Sequence, residues 1–237
     1  MVKKRYKIAN KVVEINSMYN EVHDYCYDYI TDEEVDYYIN IEYSDIEYER
    51  EKQNDKNTNK KYTDMYLEIL AVYRKIAEKM IDYDTILFHG SAIAVDGEAY
   101  IFTAKSGTGK STHTKLWREC FGDKVTMIND DKPLLKISDR VIVYGTPYDG
   151  KHRLSENISA PLNSICIITR SKNNHIEKIT KEKAYPMLIQ QTYRSNNPKN
   201  MKKTFELIDK LIDKVDLYLL ECNMDLDAAK IAYEGMK

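Results

Sequence analysis

The stretch that decides the fold is FTAKSGTGKSTHTKLW, Phe102–Trp117. An apolar run, EAYIFTA, leads into it, and a helix is expected from about Thr112 to Cys120. Between them, Gly107 and Gly109 let the backbone curl until successive N–H groups point inward, the geometry that cradles phosphate oxygens. The helix that starts there adds the positive end of its dipole. Ser106, Gly107, Thr108, Gly109, Lys110, Ser111 and Thr112 are the candidate nucleotide-binding residues. Lys110 has the length and charge to meet β- and γ-phosphates, and the Ser111 hydroxyl can ligate Mg²⁺. Ala104 stands where the strict pattern has glycine. At the end of a strand a small residue suffices, provided φ stays negative. A glycine- and serine-rich turn before an ordinary helix would have the same composition. The order strand, loop, helix separates the two readings.

Upstream, TILFHGSAIAV and EAYIFTA flank Asp96-Gly97. That pair predicts a two-residue hairpin turn, because both central positions want positive φ. The hairpin carries His89 toward the loop. A histidine beside a glycine also fits a purely structural role. Downstream, VTMINDD reads as a short strand ending in two carboxylates, Asp130 and Asp131. Adjacent residues leaving a strand can point differently. One carboxylate is then free for a metal and the other for an acceptor hydroxyl, whose proton it can take. The bland alternative is a turn before Pro133.

RVIVYGTPYDGKHR is read as a strand running into a charged, glycine-bearing loop, and that strand is expected beside the one carrying the aspartates. The loop from Gly145 to Asn157 is the expected acceptor region. Lys151 and Arg153 supply positive charge for an anionic acceptor, unless the loop is simply solvated. SICIITRS and VDLYLLECN read as further strands; KEKAYPMLIQQTY, MKKTFELIDKLIDK and DLDAAKIAYEGM read as helices.

The N-terminal third has a different texture. RYKIANKVVEIN reads as strand, and VDYYINIEYSDIEYE alternates at period two, predicting strands with a turn near Ser44. REKQNDKNTNKKYTD reads as an exposed loop, and residues 63–82 as a helix capped by Thr63. The whole is expected to be an α/β protein, with a smaller α+β lobe over residues 1–84 and a core of mixed strand direction over residues 85–237.

The chain of 237 residues carries a net charge of −2, which gives no global basic field for nucleic acid. No apolar run approaches the ~18 residues of a membrane span, so no membrane partner is expected. The basic N-terminus lacks the apolar segment of a secretory signal. The four cysteines are far apart and form no CxxC pair, as in a reduced, cytoplasmic protein.

Taken together, HGSAIAVDGEAYIFTAKSGTGKST, INDD and GTPYDGK resemble the HPr kinase/phosphorylase and phosphoenolpyruvate carboxykinase superfamily, over about residues 85 to 235. Within it they resemble the small HPr-kinase-related proteins. The resemblance implies a mixed sheet with the phosphate-binding loop (P-loop) at its centre. It implies that Lys110 and Ser111 hold nucleotide and metal, that Asp131 completes the Mg²⁺ site, that Asp130 is the base, and that His89 lies at the active site. The chain departs from both named activities. It is about half the length of a carboxykinase and lacks separate metal and oxaloacetate clusters. YGTPYDGKHR stands where the HPr kinase has an arginine-containing signature.

The expected activity is therefore transfer of a phosphoryl group from Mg²⁺-ATP, or GTP, to a hydroxyl of a peptide, protein or small molecule. Two rivals stand beside it: a regulatory module that hydrolyses nucleotide slowly and signals through a protein partner, and a peptide-binding protein that has lost turnover. An oligomer is compatible with the sequence.

Overall fold

The structure, a computed structural model, describes residues 2–54, 61–150 and 152–237. It divides into two compact units, Met1–Met80 and Ile81–Lys237.

The first unit opens with an antiparallel hairpin, β1 (Val2–Ile8) and β2 (Lys11–Ser17), turned by Ala9 and Asn10 with φ of 49° and 59°. RYKIANKVVEIN is thus two strands rather than one, and the turn lacks the glycine that would have announced it. A short helix, α1 (Glu21–Tyr25), precedes β3 (Tyr37–Asn40), which lies parallel to β2. The period-two reading fails beyond this point. Residues 43–54 form a helix, α2 (Tyr43–Asn54), which takes in the first residues of the expected loop; residues 55–60 of that loop lie outside the described residues. Its inward positions are Ile46 and Glu49, three apart, and Glu49 is buried because Arg74 meets it at 2.6 Å. A glutamate on the inner face breaks the apolar periodicity that would have revealed the helix. Helix α3 (Asp64–Met80) begins as expected: the Thr63 hydroxyl accepts the N–H of Tyr66 at 3.3 Å. Leu67, Ala71, Val72 and Ile76 form its buried stripe.

The second unit is built on a curled mixed sheet of nine strands among the described residues. The first two are β4 (Thr85–Leu87) and β5 (Ser91–Val95), so TILFHGSAIAV is broken at Phe88-His89-Gly90. β6 (Glu98–Thr103) follows through a turn at Asp96 and Gly97, whose φ values are 52° and 81°. Next come helix α4 (Lys110–Phe121), β7 (Val125–Asn129), β8 (Leu134–Ile137), β9 (Val141–Tyr144) and the long β10 (Ser159–Arg170). The chain ends with β11 (His175–Lys178), α5 (Lys181–Gln191), α6 (Pro198–Ile212), β12 (Asp216–Cys222) and α7 (Asp227–Met236). Along the ladder the order is β4-β8-β9-β10-β6-β5-β7, with β12 also on β10 and β11 on β12.

Strand β10 makes the curl. Its first residues pair antiparallel with β9, and from Leu162 it runs parallel to β6 and then to β12. β9 therefore neighbours β8 and β10, not the aspartate-bearing β7, which corrects the sequence expectation. Curvature nevertheless brings the end of β9 back to β7. A Cβ on Gly145 would lie 2.0 Å from the Glu156 carbonyl oxygen and 2.8 Å from that of Ile128, so only glycine fits there.

Helices cover both faces. Ile101, Ile128, Val143 and Ile165 form one core with Leu188 of α5 and with Leu207 and Leu211 of α6. Phe102, Ile93 and Leu220 form another with Trp117 of α4 and with Ala228 and Ala232 of α7. Among the described residues no helix is long and apolar enough to cross a membrane.

Candidate functional site

β6 delivers the chain into the loop at Ala104, which is fully buried and is not among the residues with positive φ. The two glycines do the curling: φ is 78° at Gly107 and 129° at Gly109, and α4 starts at the next residue. The Lys110 ammonium folds back and donates to the Ala104 carbonyl at 3.2 Å. Burial lowers the lysine pKa, while the nearby Asp131 and Asp130 charges pull it upward. The Lys110 ammonium is thus held by one main-chain oxygen, near two carboxylates. From the end of β10, Arg170 grips the other side of the loop. Its guanidinium donates to the carbonyls of Thr108, at 3.0 Å, and Gly107.

The acid pair leaves β7 through a turn that Asn129 organises. The Asn129 side-chain oxygen accepts the N–H groups of Asp131 and Lys132, and its amide donates to Thr146. The two carboxylates then part. Asp130 accepts the Ser91 hydroxyl at 2.6 Å, and its backbone N–H donates to Ser155. Ser91 in turn meets the Thr114 hydroxyl at 3.0 Å, which ties the carboxylate to α4. Asp131 faces the other way, 3.3 Å from His89 Nε2 and 3.6 Å from the Lys132 ammonium. Burial works to raise the Asp131 pKa. The His89 hydrogen bond and the Lys132, His89 and Lys110 charges outweigh it, so the group stays below the usual carboxylate value.

His89 sits in the break between β4 and β5. Gln191, at the end of α5, holds it twice: the His89 N–H donates to the Gln191 carbonyl at 2.7 Å, and the two side chains meet at 2.6 Å. The Gly90 N–H also donates to the Asp131 carbonyl at 3.1 Å.

These side chains line one cavity of about 520 Å³. It brings together His89, Ser106, Gly107, Gly109, Lys110, Ser111, Thr112, Asp130 and Asp131. Thr108 lies on the far side of the loop, against a second cavity. From the expected acceptor loop, Asp149, Gly150 and His152 reach the first cavity. Arg153 is exposed with φ of 47° and is not in the lining, and Lys151 lies outside the described residues. Gly150 packs so closely on Asp130 that a Cβ would stand 2.9 Å from its carboxylate.

No three His, Cys, Asp or Glu side chains gather as a metal cluster among the described residues. Mg²⁺ in nucleotide sites takes one or two carboxylates together with substrate phosphates. Ser111 and Asp131, lining the same cavity, are a donor set of that kind.

Four residues that shape the site escaped sequence reading: Ser91, Asn129, Arg170 and Gln191. Asn129 had a signal, since asparagine before a turn accepts backbone N–H groups two residues on. Gln191, 102 residues from His89, had none.

No family model matches the chain, and no curated protein matches it. Among solved structures it is similar to the Hpr(Ser) kinase/phosphatase from Coxiella burnetii, at 11% identity with a TM-score of 0.34, covering 62% of this chain and 94% of that one. A likeness this slight carries no inference about the site, whose reading rests on its own geometry.

Proposed function

We propose that the protein is a Mg²⁺- and ATP-dependent kinase that transfers the γ-phosphoryl group to a hydroxyl of a peptide, protein or small molecule. One observation carries the proposal: Lys110, Ser111, Asp130 and Asp131 line a single cavity at the N-terminus of α4.

The loop N–H groups and Lys110 hold the phosphates, and Lys110 offsets charge that builds on the β–γ bridge as it breaks. Mg²⁺, held by Ser111 and Asp131, would supply further neutralisation of the phosphates. Asp130 accepts the proton of the incoming hydroxyl. That oxygen bonds to the γ-phosphorus, the bond to the bridging oxygen breaks, and the diphosphate leaves with the electron pair. The Ser91 hydrogen bond fixes one Asp130 oxygen and leaves the carboxylate its other oxygen for the acceptor. The Gly145–Asn157 loop, which meets Asp130 through Gly150 and Ser155, is the proposed acceptor side.

The test uses ATP labelled at the γ-phosphate, offered with Mg²⁺ and a panel of hydroxyl-bearing peptides and small alcohols. Label should enter an acceptor with the wild-type protein and fail to do so with Asp130→Asn. Label released only as inorganic phosphate, equally by both proteins, would point to the regulatory hydrolase instead.

A further inference from the structure

Gly107 and Gly109 give the phosphate loop its curl, and they also leave it loose. Glycine takes positive or negative φ about equally well. Among the described residues, a Cβ on either would meet nothing within 4 Å beyond its chain neighbours, so neither is wedged in place by packing. Hydrogen bonds hold the loop instead. Lys110 folds back on the Ala104 carbonyl at 3.2 Å, and the Thr108 N–H closes a turn on the Lys105 carbonyl at 3.2 Å. The carbonyls of Gly107 and Thr108 stay outside these bonds, and Arg170 takes both. Its Nε donates to Thr108 at 3.0 Å, and its Nη2 to Gly107. Among the described residues no other side chain reaches either oxygen.

The sheet puts Arg170 where it can do this. Ile167 of β10 pairs with Thr103, the last residue of β6. Arg170 stands three residues farther on, level with the loop, and is still anchored in the sheet by its pairing with Cys222 of β12. It lines the second cavity, of about 480 Å³, and not the first. Across a trans peptide the carbonyl and the following N–H point opposite ways. Holding the Thr108 carbonyl toward Arg170 therefore turns the Gly109 N–H the other way, toward the first cavity. Holding the Gly107 carbonyl fixes the peptide whose N–H, on Thr108, closes the turn.

We infer that Arg170 is a positioning residue for the nucleotide: it latches two loop carbonyls away from the phosphates and keeps the cradle in its binding-competent form. The inference rests on the proposed function. A guanidinium suits the task, because its rigid fork spans two acceptors that a single ammonium does not hold together. Without the latch the loop populates forms in which a carbonyl oxygen faces the cavity. Apparent affinity then falls in proportion to the fraction of protein left competent. That loss applies to every ligand bound through phosphate, and it spares the chemical step of the bound complex.

Titration calorimetry with ATP and with inorganic tripolyphosphate, each with Mg²⁺, tests this in the wild type, Arg170→Ala and Arg170→Lys. Arg170→Ala should weaken both ligands alike, by about tenfold, the scale of one charge-assisted hydrogen bond biasing the loop. In phosphoryl transfer its KM for ATP should rise by the same factor, with kcat near the wild-type value. Arg170→Lys keeps the charge and loses the fork, so it should recover only part of the affinity. Full recovery by lysine would make the charge alone responsible and overturn the latch. Weakening of ATP without tripolyphosphate would place Arg170 on the nucleoside, and unchanged affinity with a lower melting temperature would make it merely structural; either result overturns the latch alone. Failure of both ligands to bind the wild type would overturn the loop assignment as well.

Discussion

His23 and His113 are buried histidines, one in each unit, and they are held differently. Both His23 nitrogens are engaged: Nδ1 meets the Tyr6 hydroxyl at 2.6 Å and Nε2 meets Ser17 at 2.8 Å. Its neighbours follow suit. Glu68 takes the N–H groups of Met18 and Tyr19, and Arg74 is tied to Glu49 and Asp45. His113 has one partner and an idle Nδ1. Lys110 leans on a single carbonyl, and Asp131 on a histidine 3.3 Å away. Polar groups that close on one another specify a core; polar groups left part-satisfied in a cavity await something from outside. The contrast separates side chains that close on one another from those left part-satisfied at the candidate site.

The hardest way to break the contrast is to remove Lys110. Lys110→Met should abolish ATP turnover yet leave the melting temperature unchanged or higher, because a partly desolvated ammonium is exchanged for an apolar side chain. Steady-state kinetics and a thermal melt read both. Loss of stability without loss of turnover would place Lys110 among the structural groups.

The aspartates sharpen it next. Asp130→Asn should keep Mg²⁺-ATP binding and lower transfer by about 10²-fold or more, the scale of a lost general base. Asp131→Ala should lose the Mg²⁺-dependent part of binding. Calorimetry showing the reverse pattern would exchange the two roles.

In the first unit the expectation inverts. Arg74→Met leaves Glu49, 3% exposed, without its partner, and should cost about 3 kcal/mol of stability. Denaturant unfolding should show that loss, while ATP affinity under folding conditions stays at the wild-type value.

The last effect is a slope with pH. Burial pushes the His113 pKa down from 6.5 to about 3. Below pH 6.5 the unfolded chain binds a proton that the native ring refuses until about pH 3. This contribution is therefore complete above pH 6.5 and is lost as pH falls toward 3, at up to about 1.4 kcal/mol per pH unit. His113→Phe should flatten that part of the stability profile; an unchanged slope would mean the ring takes its proton without unfolding.

Much of the second unit was legible because its signals are local. Asp96-Gly97, the loop glycines and the apolar runs each act within a few residues, and the hairpin, loop and helix follow from them. What escaped depends on distant partners. Glu49 is buried by Arg74 from another helix, so α2 showed no apolar stripe. The ladder order depends on where β10 changes neighbours, which no short window contains. At the site, residue types and spacing pointed to Lys110, Ser111 and the acid pair. The groups that hold the site together, Ser91 on Asp130, Gln191 on His89 and Arg170 on the loop carbonyls, belong to other strands and helices and look ordinary in sequence.

The most direct test of the central claim, that loop and acid pair form one nucleotide site, is calorimetric titration of ATP into the wild-type protein and Lys110→Ala, with and without Mg²⁺. One Mg²⁺-dependent binding event is expected in the wild type, and its loss in the variant. Equal binding by both proteins, or binding indifferent to Mg²⁺, would contradict it.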